Sequence, residues 1–354
     1  MAKVHNYSAG PCILPQEVLA EAAQAVQNFD NLDLSILEIS HRSPSYVKVM
    51  DDAIAMVKEM LNVPEGYSVM FLQGGASTGF LMTIYNLLKE GGKAAYADTG
   101  AWSAKAIKEA QRFGTIDIVA SSKDKNYNYI PKGYEIPNDA DYFHYTSNNT
   151  IFGTQFKVFP KFDGITVCDM SSDIFSRQFN VADFDLIYAG AQKNLGPAGA
   201  TLYIFKDSLF GHSGRNIPAM MDFKTHASKD SMFNTPPVYS VYVAMLNLKH
   251  MLKNGGLPYY EKLAQDRADL LYGEIDANPL FKGAAAVEDR SNMNATFVLT
   301  DESYKEKFDQ MWKDANISGI KGHRSVGGYR ASMYNALPLE SVQVLVDVMK
   351  KLNS

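Results

Sequence analysis

Cysteine is scarce in this chain: only Cys12 and Cys168 occur among 354 residues. Two cysteines cannot build a disulfide framework, and Cys168 lies in a segment predicted to be a buried strand, so we expect neither disulfides nor a zinc site. Long apolar runs are missing as well, including at the N-terminus, where a secretory signal would carry one. We therefore expect no metal, no membrane contact and a cytoplasmic location.

Neither positive nor negative charge is in large excess. The net charge is −5, from 34 Lys and Arg against 39 Asp and Glu. Proteins that bind nucleic acids or anionic membranes need a basic face, so neither partner is expected here. Any anionic ligand must be held by a few local cations. The length is sufficient for about two domains around a large core.

Apolar strands and amphipathic helices alternate through the first two thirds of the chain. Strands are predicted at residues 68–72, 93–98, 115–120, 141–145, 164–169, 184–189 and 199–205, and helices at 15–29, 44–61, 80–88 and 238–253. Such alternation predicts an α/β fold with a mostly parallel central sheet, whose ligands bind beyond the carboxyl ends of the strands. After residue 258 the pattern changes to a smaller α+β arrangement. We predict a large domain at 15–258 and a small domain formed by 1–14 and 259–354.

One aspartate and one lysine follow two of these apolar strands. Asp169 ends the strand at 164–169, and Lys193 follows the strand at 184–189 among glycine, alanine and proline. Taken singly, Asp169 could cap a turn and Lys193 could be a surface lysine. Together they form the pair that enzymes using pyridoxal 5′-phosphate (PLP) need: a lysine that forms a Schiff base, and a carboxylate that keeps the pyridine nitrogen protonated. An amine among apolar strands should also have a lowered pKa.

Other candidate residues follow neighbouring strands at the same predicted edge. Segment 74–79 (GGASTG) is a glycine-rich strand-to-helix turn. Its free N–H groups would bind an anion, although small residues also serve close packing. Trp102 follows the strand at 93–98, where it could stack on a cofactor ring or fill the core. Five cationic side chains are candidates for binding anions, although the first two could lie in a solvated loop: His41, Arg42, His323, Arg324 and Arg330.

Eight ordered segments carry a resemblance to a known family. They are NYSAGP (6–11), SHRS (40–43), QGGAS (73–77), TGAW (99–102), CDMSS (168–172), YAGAQKNLGP (188–197), NTPP (234–237), and GHR with GGYRASMYN (322–324 and 327–335). In this set and order, nearly end to end, the chain resembles the phosphoserine aminotransferases, a family of class V, fold-type I PLP-dependent enzymes. The resemblance implies that fold, with its large and small domains.

The resemblance also implies a role for each matching residue. Lys193 and Asp169 are the implied catalytic residues. The implied cofactor contacts within the chain are Ala76, Ser77 and Gln192 at the phosphate and Trp102 and Thr150 at the ring. Asn234 and Thr235 are implied to reach the phosphate of the neighbouring subunit's cofactor. A homodimer with shared active sites is therefore implied. The implied substrate contacts are Ser8, His41 and Arg42 (the last two from the partner), Arg330 at the α-carboxylate, and His323 and Arg324 near the distal anion.

The activity implied is transfer of the amino group of L-glutamate to 3-phosphohydroxypyruvate, giving O-phospho-L-serine and 2-oxoglutarate in serine biosynthesis. A related alternative is transamination of 4-phosphohydroxythreonine in vitamin B6 (pyridoxine) synthesis. A desulfurase or β-lyase is less favoured, because no cysteine lies in a glycine-flanked loop. A phosphate-binding module without catalysis is the alternative from another class of protein.

Overall fold

The computed structural model describes residues 4–324 and 326–353, so residues 1–3 and Ser325, all within the predicted small domain, lie outside it. The helices within these ranges are α1 (Gln16–Gln27), α2 (Pro44–Leu61), α3 (Gly75–Leu87), α4 (Ala101–Ala110), α5 (Phe223–Ala227), α6 (Val238–Lys253), α7 (Gly256–Ala277), α8 (Lys305–Asp314) and α9 (Leu339–Asn353). The strands are β1 (His5–Asn6), β2 (Tyr67–Leu72), β3 (Lys93–Asp98), β4 (Thr115–Ser121), β5 (Phe143–Thr146), β6 (Asn148–Asn149), β7 (Thr154–Gln155), β8 (Thr166–Asp169), β9 (Leu186–Gly190), β10 (Thr201–Lys206), β11 (Phe281–Gly283), β12 (Asn294–Leu299), β13 (Ile317–Ser318) and β14 (Tyr329–Ser332). None of these helices combines the length and apolar character that a membrane span requires.

The central sheet contains seven strands in the order β2-β10-β9-β8-β5-β3-β4. The pairs from β9 to β4 are all parallel, whereas β10 is antiparallel to both of its neighbours. Residues 191–200 join β9 to β10, and this connection is too short for the crossover that a parallel pair needs. The prediction of an α/β fold with a mostly parallel sheet is confirmed.

The two faces of the sheet are covered by different helices, because successive side chains of a strand point to opposite sides. In β2, Val69 and Phe71 pack in the core that contains α1, α2 and α6. Met70 and Leu72 pack in the core that contains α3 and α4. With both faces covered, a ligand reaches this sheet at the ends of its strands.

A separate apolar core forms around α7, α8 and α9 with β11, β12 and β14. The N-terminal segment joins it: Tyr7 is fully buried there, and its hydroxyl donates a hydrogen bond of 2.6 Å to the carbonyl of Ser341. β1 also pairs in parallel with β13. Residues 5–7 are thus anchored to the C-terminal part of the chain, just before the NYSAGP segment turns toward the sheet. The domain limits at residues 14 and 258 remain a prediction.

The glycine-rich segment after β2 differs from the sequence prediction. We expected a turn at 74–79 and a helix from residue 80, but α3 already begins at Gly75. The reason is that only Gly74 and Gly75 have positive φ angles, of 107° and 66°, so that the chain reverses within two residues. Another double glycine, Gly255-Gly256, likewise precedes and starts α7, with φ angles of 103° and 64°.

Gly79 lets α3 pack directly on β9. A Cβ at this position would lie 2.8 Å from Cδ2 of Tyr188, which is fully buried and hydrogen-bonded through its hydroxyl to Nε2 of His144 at 2.7 Å. The ring is therefore held on two sides. A larger residue at 79 must push α3 away from the strand that leads to Lys193.

We expect Gly79→Ala to lower the free energy of unfolding by about 1–3 kcal/mol, since overpacking outweighs the better helix propensity of alanine. The matched control is Gly273→Ala, in the interior of α7, where an added Cβ meets nothing within 4 Å. That substitution should raise the free energy by about 0.5–1 kcal/mol. Urea unfolding measures both, and equal effects at the two positions would contradict the packing argument.

Candidate functional site

Asp169 is the last residue of β8, and Ser171 ties its carboxyl to the end of β9. The backbone N–H and the hydroxyl of Ser171 donate to Oδ1 of Asp169 at 2.9 and 2.6 Å. The hydroxyl oxygen of Ser171 in turn accepts from the N–H of Gly190 at 3.1 Å. Within the described part of the chain, the hydrogen bonds to this carboxyl reach Oδ1, which leaves Oδ2 for a donor that enters the site.

Lys193 lies in a loop that is fixed from several directions. The N–H groups of Lys193 and Gly196 both donate to the carbonyl of Ala191, at 2.8 and 2.7 Å. Asn194 then donates through Nδ2 to the carbonyl of Ile174 at 2.9 Å and accepts at Oδ1 from the N–H of Asn335 at 3.0 Å. The loop is therefore held both to the segment after Asp169 and to the C-terminal part of the chain.

The N-terminal segment packs against the amine of Lys193. Nζ donates to the carbonyl of Ala9, which also accepts from the hydroxyl of Tyr334 at 2.9 Å. A Cβ on Gly10 would lie 2.6 Å from Nζ, so only glycine leaves room for the amine at this position. The ring centroid of Tyr334 is 5.7 Å from the same nitrogen. These contacts hold the amine at the edge of the sheet.

Burial makes this amine more acidic. The pKa of Lys193 is lowered to about 8. Burial is the main cause and the positive charge of Arg330 adds to it, while Cys12 and Asp169 act in the opposite direction. A sizeable fraction of the amine is therefore neutral and nucleophilic near neutral pH.

Burial has the opposite effect on the carboxyl beside it. It raises the pKa of Asp169 to about 6, helped by the charge of Asp173 and opposed by the hydrogen bonds from Ser171 and the charge of Lys193. At neutral pH Asp169 is mostly ionised and can hold a positively charged N–H group.

The first turn of α3 has the backbone arrangement that can bind an anion, and α3 packs on β9, the strand that leads to Lys193. The N–H groups at the start of a helix have no partner within the helix and carry the positive end of its dipole. Here they belong to the turn that contains Ala76 and the exposed Ser77. The contact between Gly79 and Tyr188 sets this turn next to β9, and Gln192 lies at the end of that strand, against Gly190. The three residues predicted at the cofactor phosphate therefore lie around one strand end.

Trp102, Thr150 and Arg330 border the same region. Trp102 begins α4 two residues after Gly100, and Gly100 lies against Asn149, next to Thr150. Nη1 of Arg330 is 3.5 Å from the carbonyl oxygen of Thr150. Trp102 is half-buried, and its ring lies under Nζ of Lys105 at 4.3 Å.

Arg324 adds positive charge near Arg330, and the exposed His323 lies close to both arginines. Burial first, and then the charges of Arg330, Arg324 and Lys105, lower the pKa of His323. Ser8 directly precedes Ala9, whose carbonyl accepts from Lys193, and the N–H of Ser8 donates to Oδ1 of Asn6 at 3.0 Å.

Four predicted residues are not joined to this group within one chain. Arg42, Asn234 and Thr235 are exposed, and His41 is half-buried. No hydrogen bond or ion pair among the described residues links any of them to Lys193 or Asp169. Their predicted roles all required a second subunit.

Sequence reasoning missed Ala9, Gly10, Ser171 and Tyr334. Each lies inside a segment that the sequence analysis singled out, so the segments themselves were the signal. The contacts of these residues arise between parts of the chain that are far apart in sequence, which strand and helix periodicity does not report.

The chain is similar to known proteins over its whole length. A family model described as aminotransferase class-V matches residues 4–345. A phosphoserine aminotransferase of Flavobacterium johnsoniae is 62% identical over 353 residues, covering 99% of each chain. One of Parabacteroides distasonis is 55% identical over 352 residues, covering 99% of this chain and 98% of its own.

Solved structures of phosphoserine aminotransferases are also similar to this chain over nearly its whole length. The phosphoserine aminotransferase from Bacillus circulans subsp. alkalophilus superposes with a TM-score of 0.96 at 42% identity, over 99% of this chain and 98% of that one. The PLP-bound enzyme from Trichomonas vaginalis gives 0.92 at 34% identity, over 98% of this chain and 100% of that one.

The low pKa of Lys193 can be tested by its rate of acylation in the ligand-free protein, followed by peptide mass spectrometry across pH 6–11. The amine reacts only when deprotonated, so its rate should rise with a midpoint near 8, against about 10.4 for solvent-exposed lysines. Arg330→Gln removes a repelling positive charge and should move the midpoint upward. A midpoint at the ordinary value in the unaltered protein would contradict the site described above.

Proposed function

Because this chain belongs to the class-V aminotransferase family, we propose that it transfers the amino group of L-glutamate to 3-phosphohydroxypyruvate. The products are O-phospho-L-serine and 2-oxoglutarate, so the reaction exchanges an amino group for a carbonyl oxygen. The names of the relatives at 52–62% identity support this pair of substrates. The alternative role in pyridoxine synthesis and the cytoplasmic location stay predictions.

The observation that carries the proposal is the pair formed by the half-buried Lys193, just after β9, and the buried Asp169, at the end of the adjacent strand β8. Their pKa values are displaced in opposite directions, to about 8 and about 6. The pair thus offers a nucleophilic amine and an ionised carboxylate at the same pH. A phosphate-binding module without catalysis has no need of either.

The residues present fit PLP as the cofactor. Oδ2 of Asp169 is available to the protonated ring nitrogen, and the first turn of α3, with Ala76, Ser77 and Gln192, is available to the phosphate. Lys193 would hold the aldehyde carbon, with Trp102 and Thr150 beside the ring. When bound, PLP supplies an aldehyde that condenses with amines and a ring that withdraws electrons from the substrate's Cα.

Lys193 then has a second task as a general acid and base. Its amine, once free, takes the proton from Cα of the amino-acid substrate, which requires the neutral form that burial favours. The carbonyl of Ala9 accepts from Nζ and keeps the amine in the site, and Tyr334 holds that carbonyl by its own hydrogen bond. Asp169 stays ionised during this transfer because Ser171 donates two hydrogen bonds to it.

The arginines and histidines explain how both substrates fit one site. Each substrate carries an α-carboxylate and a second anion farther along the molecule. Arg330, held near Thr150, is suited to bind the carboxylate with two parallel hydrogen bonds. His323 and Arg324, with Ser8 on the other side, would accept either a carboxylate or a phosphate.

A homodimer with shared active sites is part of the proposal. Leu32, Leu34 and Leu37 precede His41 and Arg42, and their exposed fractions are 44, 47 and 60%. Phe233, 40% exposed, directly precedes Asn234 and Thr235. Apolar side chains exposed beside both segments that must reach a second chain support a second copy as their partner.

Replacing Lys193 tests the reaction. Lys193→Ala should retain no PLP after borohydride reduction, as read by intact-protein mass, and should lower kcat by at least about 10³-fold, since both the nucleophile and the proton carrier are lost. Lys262→Ala, at a lysine whose side chain is 75% exposed, is the control and should behave as the unaltered protein. Undiminished turnover of glutamate by Lys193→Ala would refute the assignment.

Replacing Leu37 tests the dimer. Leu37→Asp places a charge in the proposed interface, so light scattering should show monomer, and activity should fall because His41, Arg42, Asn234 and Thr235 no longer reach a partner's site. Val158→Asp, at a valine 82% exposed and outside the proposed interface, should change neither. An active Leu37→Asp monomer would show that one chain suffices.

A further inference from the structure

A second buried carboxylate lies four residues after Asp169, and the reaction above gives it no role. The side chain of Asp173 is only 2% exposed. Its Oδ1 accepts from the hydroxyl of Ser147, and its Oδ2 accepts from Nε2 of Gln155 at 3.1 Å and from Nη2 of Arg177 at 3.0 Å. Three donors, one of them a cation, satisfy the hydrogen-bonding capacity of this buried carboxyl group.

Arg177 is held in place independently of this ion pair. Nη1 donates to the carbonyl of Phe156 at 2.6 Å, and the guanidinium carbon lies 4.2 Å from the ring centroid of Phe159. The side chain is 15% exposed and forms part of the wall of a surface cavity of about 500 Å³. Asp173 is its ion-pair partner within the described residues.

Ser147 joins Asp173 to the main chain of Asp169. A serine hydroxyl has one proton to donate. The N–H of Ser147 donates to the carbonyl of Asp169 at 3.0 Å, and the hydroxyl lies within hydrogen-bond distance of both that carbonyl, at 3.1 Å, and Oδ1 of Asp173. The contact with Asp173 is the shorter of the two and involves a charged acceptor, so we assign the single hydroxyl proton to it. Asp169 and Asp173 are thus two neighbouring carboxyl groups at and just after the end of β8. The positive charge of Lys193 attracts the first, and Arg177 forms an ion pair with the second.

The other titratable groups that face Asp169 are neutral. Burial raises the pKa values of Tyr188 in β9, Tyr203 in β10 and Cys168 in β8 well above their ordinary range. Among the groups that act on Asp169, Asp173 therefore supplies the negative charge and Lys193 the positive one. Two cations face Asp173: Arg177, its ion-pair partner, and Lys157, on whose pKa the charges of Asp173 and Arg177 act in opposite directions. The net effect of Asp173 on Asp169 depends on how completely these cations compensate its charge, and Lys157 is the same in all the variants compared below.

We propose that Asp173 and Arg177 are positioning residues that set the charge of Asp169, and hence its ability to hold a protonated ring nitrogen. This inference rests on the proposed function. With Arg177 present, its positive charge offsets part of the effect of Asp173, and Asp169 remains mostly ionised at neutral pH. Without Arg177, the uncompensated charge of Asp173 favours the protonated form of Asp169, which cannot bind a cationic N–H group.

The test compares Arg177→Met, Asp173→Asn, the double variant and the charge-conserving control Arg177→Lys. Affinity of each apoprotein for PLP is measured by absorbance titration between pH 5 and 8. Binding weakens as falling pH protonates Asp169, and the midpoint of that loss is the readout. Arg177→Met should raise the midpoint by about one pH unit and Asp173→Asn should lower it by a similar amount, as expected for a neighbouring charge. The double variant and Arg177→Lys should lie within about 0.3 unit of the unaltered protein.

A cofactor-free measurement gives the same information. The free energy of unfolding of each apoprotein is measured from pH 4 to 8, with Asp169→Asn in the same background as reference. The folded-state pKa of Asp169 is raised, so its contribution to stability is present at low pH and is lost as pH rises through about 6. Arg177→Met should move this loss to higher pH, and Asp173→Asn to lower pH.

The proposal is supported if the two single variants shift the pH midpoint in opposite directions and the double variant restores it. A pair with only a structural role would instead change PLP binding and stability in the same direction in all variants. Shifts of one sign, or none, overturn it even if PLP binds normally. If the unaltered protein binds no PLP at any pH, the proposed function fails, and the unfolding curves still decide the charge coupling. If Arg177→Met does not fold, Asp173→Asn must lower the midpoint and the double variant must restore it.

Discussion

The structure depends on placing one amine and one carboxyl at the ends of two adjacent parallel strands, partly out of water. Burial disfavours both charges, so it lowers the pKa of Lys193 and raises that of Asp169. Their mutual attraction works against burial in each case. The result is an amine that is easily deprotonated beside a carboxyl that is still ionised at neutral pH, which neither burial nor ion pairing would produce alone.

Holding two such groups requires support from the whole chain. Ser171 restrains Asp169 from its own side, while Asn194 and Asn335 fix the lysine loop to the C-terminal residues. The N-terminal segment completes the arrangement, because the carbonyl of Ala9 receives both the amine and Tyr334. The core around α7, α8 and α9 therefore contributes to the site by orienting the backbone that borders it.

Much of the fold followed from local rules, and the site followed in part. The helix predicted at 44–61 is α2, and Ser43, directly before it, caps it: its hydroxyl oxygen accepts from the N–H of Tyr46. The strand ends that carry Asp169 and Lys193 were predictable because apolar runs ended there in polar residues. The direction of β10 was not predicted, since an apolar run does not encode its partner. The roles of Ala9 and Tyr334 were not predicted either, because 325 positions separate the two residues that share this hydrogen bond.

Charge is distributed in the same local manner throughout the site. The chain is net negative, with −5 overall, yet the positive charge of Arg330 acts on Lys193, and the charges of Arg330 and Arg324 both act on His323. Attraction over a few ångströms in a partly buried region outweighs a diffuse surface charge screened by solvent. The ion pair of Asp173 and Arg177 is a further local charge interaction, next to Asp169. A buried ion pair is poor evidence for stability, because desolvation offsets most of its attraction. This ion pair lies beside Asp169, and an uncompensated charge on Asp173 would change the protonation of Asp169. We therefore attribute to the pair a role in the chemistry of the site rather than in stability.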